Sequence, residues 1–207
     1  MTLLALPLVL LGCQEYALRE PDKVPPADPP GLVDEGFGSP PNWQDCLTGY
    51  LGTYSNLGVE HADVEPAIDE VPADDPTSLD WWDERSFQRF DPALDFGSNW
   101  WPVDDGLAAD PAYFSVKWIA WLRAWDSTDI EISLGSGGDS WVLLDNEIVA
   151  AQPGVHPFEP EVVVIPVGSG QYPLEVRYAH RGGDSGFRLR VLSGDVSICY
   201  PEFNEDE

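Results

Sequence analysis

The stretch YFSVKWIAWLRAW (113–125) sets the terms on which this chain can fold. Apolar side chains recur at every second position, so Phe114, Val116, Trp118, Ala120 and Leu122 share one face of an extended strand. Wound as a helix, the same residues would scatter around the axis. No window of the chain holds an apolar period near 3.6 residues, so strands have no helical competitor.

Other segments repeat the pattern. DIEISL (129–134) turns Ile130, Ile132 and Leu134 inward. SWVLL and EIVAA flank Asp145-Asn146, two residues that tolerate left-handed φ, which predicts a tight hairpin. EVVVIPV (161–167) is a near-continuous apolar run, as in a strand covered on both faces. QYPLEVRYAH (171–180) is expected to bury Tyr172, Leu174, Val176 and Tyr178, and GFRLRVL (186–192) to bury Phe187, Leu189 and Val191. These last two are expected to pair through the RGGDSG turn, setting Glu175 and Arg177 beside Arg188 and Arg190 on a solvated face. With Thr48–Tyr54 as the first strand, short strands at short spacing predict an all-β fold, an antiparallel β-sandwich or barrel. Val59–Glu84 carries ten acids and no Lys or Arg, and reads as an insertion loop.

Charge narrows the partners. Ten basic residues against 37 acidic ones leave a net charge of −27, which repels nucleic acid and anionic lipid but attracts divalent cations. An apolar content of 43% is enough for a packed core. Nine Trp and twenty Pro with a single Met fit an extracellular β-rich domain.

Residues 2–12 are almost wholly apolar but fall short of the about 20 needed to span a bilayer, and suit the core of a secretory signal peptide. Leu10-Leu11-Gly12-Cys13 resembles a bacterial lipobox, although no Lys or Arg precedes it. That resemblance implies a signal peptide over 1–12, a lipid on Cys13 and anchorage at the outer membrane or cell surface. The membrane would be touched only through the lipid. Residues 13–43 are acidic and rich in Pro (Pro21, Pro25, Pro26, Pro29, Pro30, Pro40, Pro41), a composition that favours an extended tether. The domain is then expected over 44–203, with an acidic tail at 204–207. Cys46 and Cys199 stand near its two ends, and in an oxidising compartment they are expected to pair. A disulfide closing so long a loop is worth about 5 kcal/mol in the chain-entropy model.

The words GYLGTY, LAADPAYFSVKWIAWLRA, GGDSWVLLDNEIV with PGVH, and YPLEVRYAHRGGDSGFRL follow in an order that resembles the protective antigen fourteen domain. That family includes yeast flocculins and fibro-slime proteins, and the match runs from about residue 46 to 200. The resemblance implies a β-sandwich that binds carbohydrate or serves in adhesion. Several relatives hold Ca²⁺ on two consecutive Asp residues ahead of the hairpin, and calcium suits such a site because it accepts six to eight oxygens. Here those positions fall on Gly137-Gly138-Asp139, so only Asp139 keeps a carboxylate, and a metal site there needs Asp145, Asp184 or backbone carbonyls. GGDSWVLLDNEIV (137–149) can thus be hairpin grammar or the start of a metal site.

Enzymatic signals are lacking. His61, His156 and His180 show no metal-ligand spacing, and no Gly-x-Ser-x-Gly elbow surrounds Ser136 or Ser185. The Trp81-Trp82 and Trp100-Trp101 doublets are candidates for stacking on sugar rings, or for packing with one ring inward and its neighbour outward. Two functions remain open: a surface lipoprotein that recognises a glycan or matrix ligand without catalysis, or a structural and protein-interaction module without glycan binding.

Overall fold

The computed structural model describes residues 37, 39–57, 87–102 and 110–201. Outside the described residues lie the signal peptide 1–12, Cys13, most of the tether, the Val59–Glu84 insertion with Trp81 and Trp82, and the tail 204–207.

Twelve strands follow in chain order: β1 (Cys46–Leu47), β2 (Tyr50–Leu57), β3 (Phe87–Asp91), β4 (Leu94–Ser98), β5 (Asp110–Ala124), β6 (Thr128–Ser136), β7 (Asp139–Leu144), β8 (Glu147–Gln152), β9 (Glu161–Val167), β10 (Gly170–His180), β11 (Gly186–Ser193) and β12 (Val196–Pro201). The described residues contain no helix. The strands build two antiparallel sheets, one ordered β1-β12-β5-β10-β7-β8 with β2 and β3 attached, the other β4-β11-β6-β9.

The longest alternating segment became the organising strand. β10 pairs along one whole edge of β5, from His180 opposite Phe114 to Gly170 opposite Ala124. The other edge is shared: β2 takes it from Ile119 upward and β12 takes Trp121 to Ala124. Phe114, Val116, Trp118, Ala120 and Leu122 point into the sandwich as expected, where they meet Ile130, Ile132, Leu134, Phe187 and Leu189 of the smaller sheet. The indole of Trp118 stacks on Phe187 at 4.9 Å. Between β7 and β8 the turn residues Asp145 and Asn146 take φ of 53° and 64°, the pair of left-handed conformations that a two-residue hairpin of this twist demands. Cys46 and Cys199 are joined, with Cα atoms 5.7 Å apart, beside the β1–β12 pairing.

Three expectations are corrected. β9 is an edge strand and not a doubly covered one: Ile165 and Val167 enter the core, while Val162 and Val164 remain 61% and 55% exposed. β10 and β11 do not pair with each other, because the 181–185 connection carries the chain from the larger sheet to the smaller. Each of these strands has one apolar face, and placing them in opposite sheets buries both, with Tyr178 and Phe187 in ring contact at 5.2 Å. Their charged residues therefore separate: Arg177 pairs with Glu175 of its own strand, whereas Arg188 and Arg190 share Asp95 of β4. Third, Val191 is largely outside the core, at the point where a register shift interrupts the β11–β6 pairing. The pattern also missed β3, β4 and β12, whose short segments FQRFD, LDFGS and VSICYP lack a clean alternation.

Candidate functional site

Antiparallel pairing brings a set of chain connections to one end of the sandwich. β2 ends there and β3 begins there, as do β4 and β5, β6 and β7, β8 and β9, and β10 and β11. The insertion carrying Trp81 and Trp82 thus leaves from and returns to this end, although both residues lie outside the described part.

Asp139 opens β7 at this end and is buried. Its Oδ2 accepts a hydrogen bond from Nε of buried Arg181 at 2.8 Å, and its Oδ1 accepts one from the backbone N–H of Gly154. One carboxylate therefore ties the 137–139 turn to both the β8–β9 and β10–β11 connections. Ahead of it, a Cβ on Gly137 would lie 2.0 Å from the carbonyl oxygen of Asp184, and one on Gly138 2.5 Å from that of Ala179. An acidic side chain cannot enter either position without moving backbone. Ser136 completes the turn, its Oγ donating to Gly138 O at 2.6 Å and lying 2.9 Å from Ser140 Oγ.

This arrangement does not fit a calcium ion. Both oxygens of Asp139 are taken, Asp145 stands at the far end of β7, and the described residues contain no group of three or more His, Cys, Asp or Glu able to hold a metal. Five residue steps of a strand separate Asp139 from Asp145's neighbour Leu144, roughly 17 Å. Asp184 is exposed on the adjacent loop. The positive member of the Asp139 pair is Arg181, 42 positions away in sequence, and nothing in the local pattern announces it.

The doublet Trp100-Trp101 splits. Trp100 packs inward, stacked on Phe96 at 4.1 Å and edge-on to Phe114 at 5.7 Å. Trp101 turns outward, 50% exposed, with its ring edge-on to His180 at 4.9 Å. His180 in turn lies over Phe114 at 5.5 Å, and the backbone N–H of Asn99 donates to Ser185 O at 2.6 Å. A half-exposed indole is thereby held on an aromatic base of His180 and Phe114 at the end of the sandwich where the 181–185 connection lies. His156 sits in a loop-holding position, its two ring nitrogens 3.2 Å from Gln152 O and 3.0 Å from Pro157 O.

A second buried carboxylate belongs to the framework. Asp91 accepts from Tyr54 Oη, from Trp118 Nε1 at 2.8 Å and from Arg89 Nε at 2.7 Å, and the Arg89 guanidinium also lies over the Tyr54 ring. Burial, with the Asp91 charge second, holds the Tyr54 hydroxyl protonated well beyond the ordinary tyrosine range.

No family model matches the sequence, and no curated protein matches it. Solved structures do match in shape. The PA14 domain of the MpAFP antifreeze protein superposes with a TM-score of 0.53 at 12% identity, over 81% of this chain and 97% of that one. The epithelial adhesin 9 A domain of Candida glabrata, solved in complex with Galb1-4GlcNAc, gives 0.52 at 9% identity over 81% and 90%. An anti-sigma factor domain-containing protein gives 0.52 at 19% identity over 75% of this chain, which spans about half (46%) of its length. Together they establish the fold as a PA14-like β-sandwich.

Proposed function

We propose that this chain is a non-catalytic recognition module of the cell surface that binds carbohydrate at the loop end of its sandwich. The observation that carries the reading is Trp101, a half-exposed indole packed edge-on against His180 and Phe114 at the loop end of the sandwich, the end that also carries the exposed Asp184. An exposed aromatic face suits sugar rings, which are apolar on one side and hydroxylated at the rim. The likeness in fold to an adhesin domain solved with a disaccharide supports the class of ligand. The Cys46–Cys199 disulfide supports an oxidising, exported setting. Attachment through a lipid on Cys13 is part of the same proposal.

Asp139 is not a calcium ligand in this reading, since Arg181 already neutralises it. The test is a glycan array on the intact chain and on Trp101→Ala, each with millimolar calcium and with chelator. Binding is expected to survive the chelator and to fall roughly thirtyfold in Trp101→Ala, the loss of about 2 kcal/mol typical of a dominant aromatic contact. Silence of the whole array in both conditions would favour a purely structural module. Lipidation is read separately: labelled fatty acid should enter the wild-type chain in a bacterial host and not Cys13→Ala.

A further inference from the structure

We propose a second saccharide subsite, at the opposite end of the sandwich, built on Arg123 and Trp125 and selective for a sugar ring that bears a carboxylate. It stands independently of the Trp101 end.

Trp125 follows the last residue of β5 and is 50% exposed. Its backbone N–H donates to Asp195 O at 3.4 Å, fixing it between the β5–β6 and β11–β12 turns. The guanidinium of Arg123 covers the Trp125 ring, with Cζ 3.6 Å from the ring centre, and lies 5.7 Å from the ring centre of Trp43. Trp43 is itself fixed, its Nε1 donating to Gln171 Oε1 at 2.7 Å, and Gln171 is the cross-strand partner of Arg123. Arg123 is thus held between two indoles on the face of β5 that points away from the core.

A guanidinium lying over an indole keeps its N–H donors at its edges, the geometry suited to a carboxylate. The charge pattern adds selectivity. Arg89, Arg177, Arg181, Arg188 and Arg190 each hold an acid, whereas among the described residues no carboxylate pairs with Arg123. The chain as a whole carries a net charge of −27, so a cation without a carboxylate partner among the described residues stands out.

Two residues beyond Trp125 an open groove of about 430 Å³ begins, lined by Ser127, Thr128, Asp129, Pro166, Val167 and Gly168. Hydroxyls, one acid and loop backbone there suit the hydroxyl rim of a pyranose lying toward the free side of Trp125. Asp126 and Asp129 flank the site and oppose any dense polyanion, so the ligand class is a uronic acid set among neutral sugars.

The test follows the indole ¹H–¹⁵N signals of the intact chain while a tetrasaccharide of alternating glucuronate and N-acetylglucosamine is added. A neutral N-acetylglucosamine tetramer and a glutamate-containing tetrapeptide serve as comparisons. The Trp125 signal is expected to shift saturably with the acidic sugar only. Affinity should drop at least tenfold in Arg123→Gln and fall less in Arg123→Lys, and in Trp125→Ala the response of the neighbouring Trp43 indole should vanish. Trp125 is exposed and Arg123 half-buried on the outer face of β5, and far-UV circular dichroism confirms that the variants fold. An equal response to the neutral tetramer or to the peptide overturns the proposal, as does binding that survives both Arg123→Gln and Trp125→Ala. A shift confined to the Trp101 signal would overturn it while supporting recognition at the loop end.

Discussion

Replacing Arg181 with Met is expected to destabilise the domain by about 3–5 kcal/mol, because Asp139 would stay buried without its guanidinium partner. Urea unfolding reads the change, and Arg181→Lys should recover part of it. Calcium should not raise the melting temperature through Asp139; a calcium-dependent rise that is lost in Asp139→Asn would restore it as a metal ligand. Asp139 was legible in the sequence as an acid at the head of a strand. Its role was not, since a carboxylate's partner is chosen by which loops meet, and the 181–185 connection crosses between sheets to reach it. Gly137 and Gly138 are similar: the sequence shows two glycines, and only the approach of Asp184 and Ala179 shows that nothing larger fits.

At the scale of the element, β9 makes the sharpest contrast. Val164→Thr should change stability by no more than about 0.5 kcal/mol, since this side chain already meets solvent. Ile165→Ala, one residue on, should cost about 2–5 kcal/mol by leaving a cavity between the sheets. Equal losses at the two positions, read by chemical denaturation, would mean that the outer face of β9 is covered after all. Alternation revealed the faces of β6 and β10 because each has one apolar and one polar side, whereas β7 buries Val142 and Leu144 on one face and Trp141 and Leu143 on the other. In β9 consecutive valines erase that signal, and which of them are buried is decided by which face of the smaller sheet meets the larger one. Strands β3 and β4 were illegible for a different reason: five residues with charges and a glycine hold too few alternations to exceed chance.

For the whole molecule, the buried tyrosines predict a limit at high pH. Burial raises the hydroxyl pKa of Tyr50, Tyr54 and Tyr178, and pushes that of Tyr200 up to about 12. An unfolded chain gives up these protons near pH 10. The stabilisation is therefore complete below about pH 10 and is lost as pH rises toward 12 and beyond, because the native state binds more protons there. The slope approaches about 1.4 kcal/mol per pH unit for each proton held. Tyrosinate absorbance from these four residues should thus appear together with loss of the near-UV circular dichroism signal; ionisation of all seven tyrosines near pH 10 in a folded protein would contradict it. The sequence by itself determined the all-β class, the tight turn at Asp145-Asn146 and the inward face of β5, because these rest on local periodicity and turn conformation. The tertiary structure alone decided that β10 and β11 lie in opposite sheets, that Asp139 meets Arg181, and that Trp101 and Trp125 emerge at opposite ends. Those outcomes depend on which distant segments pack together, and burial of two apolar faces against each other is a property of the assembled sandwich, not of either strand.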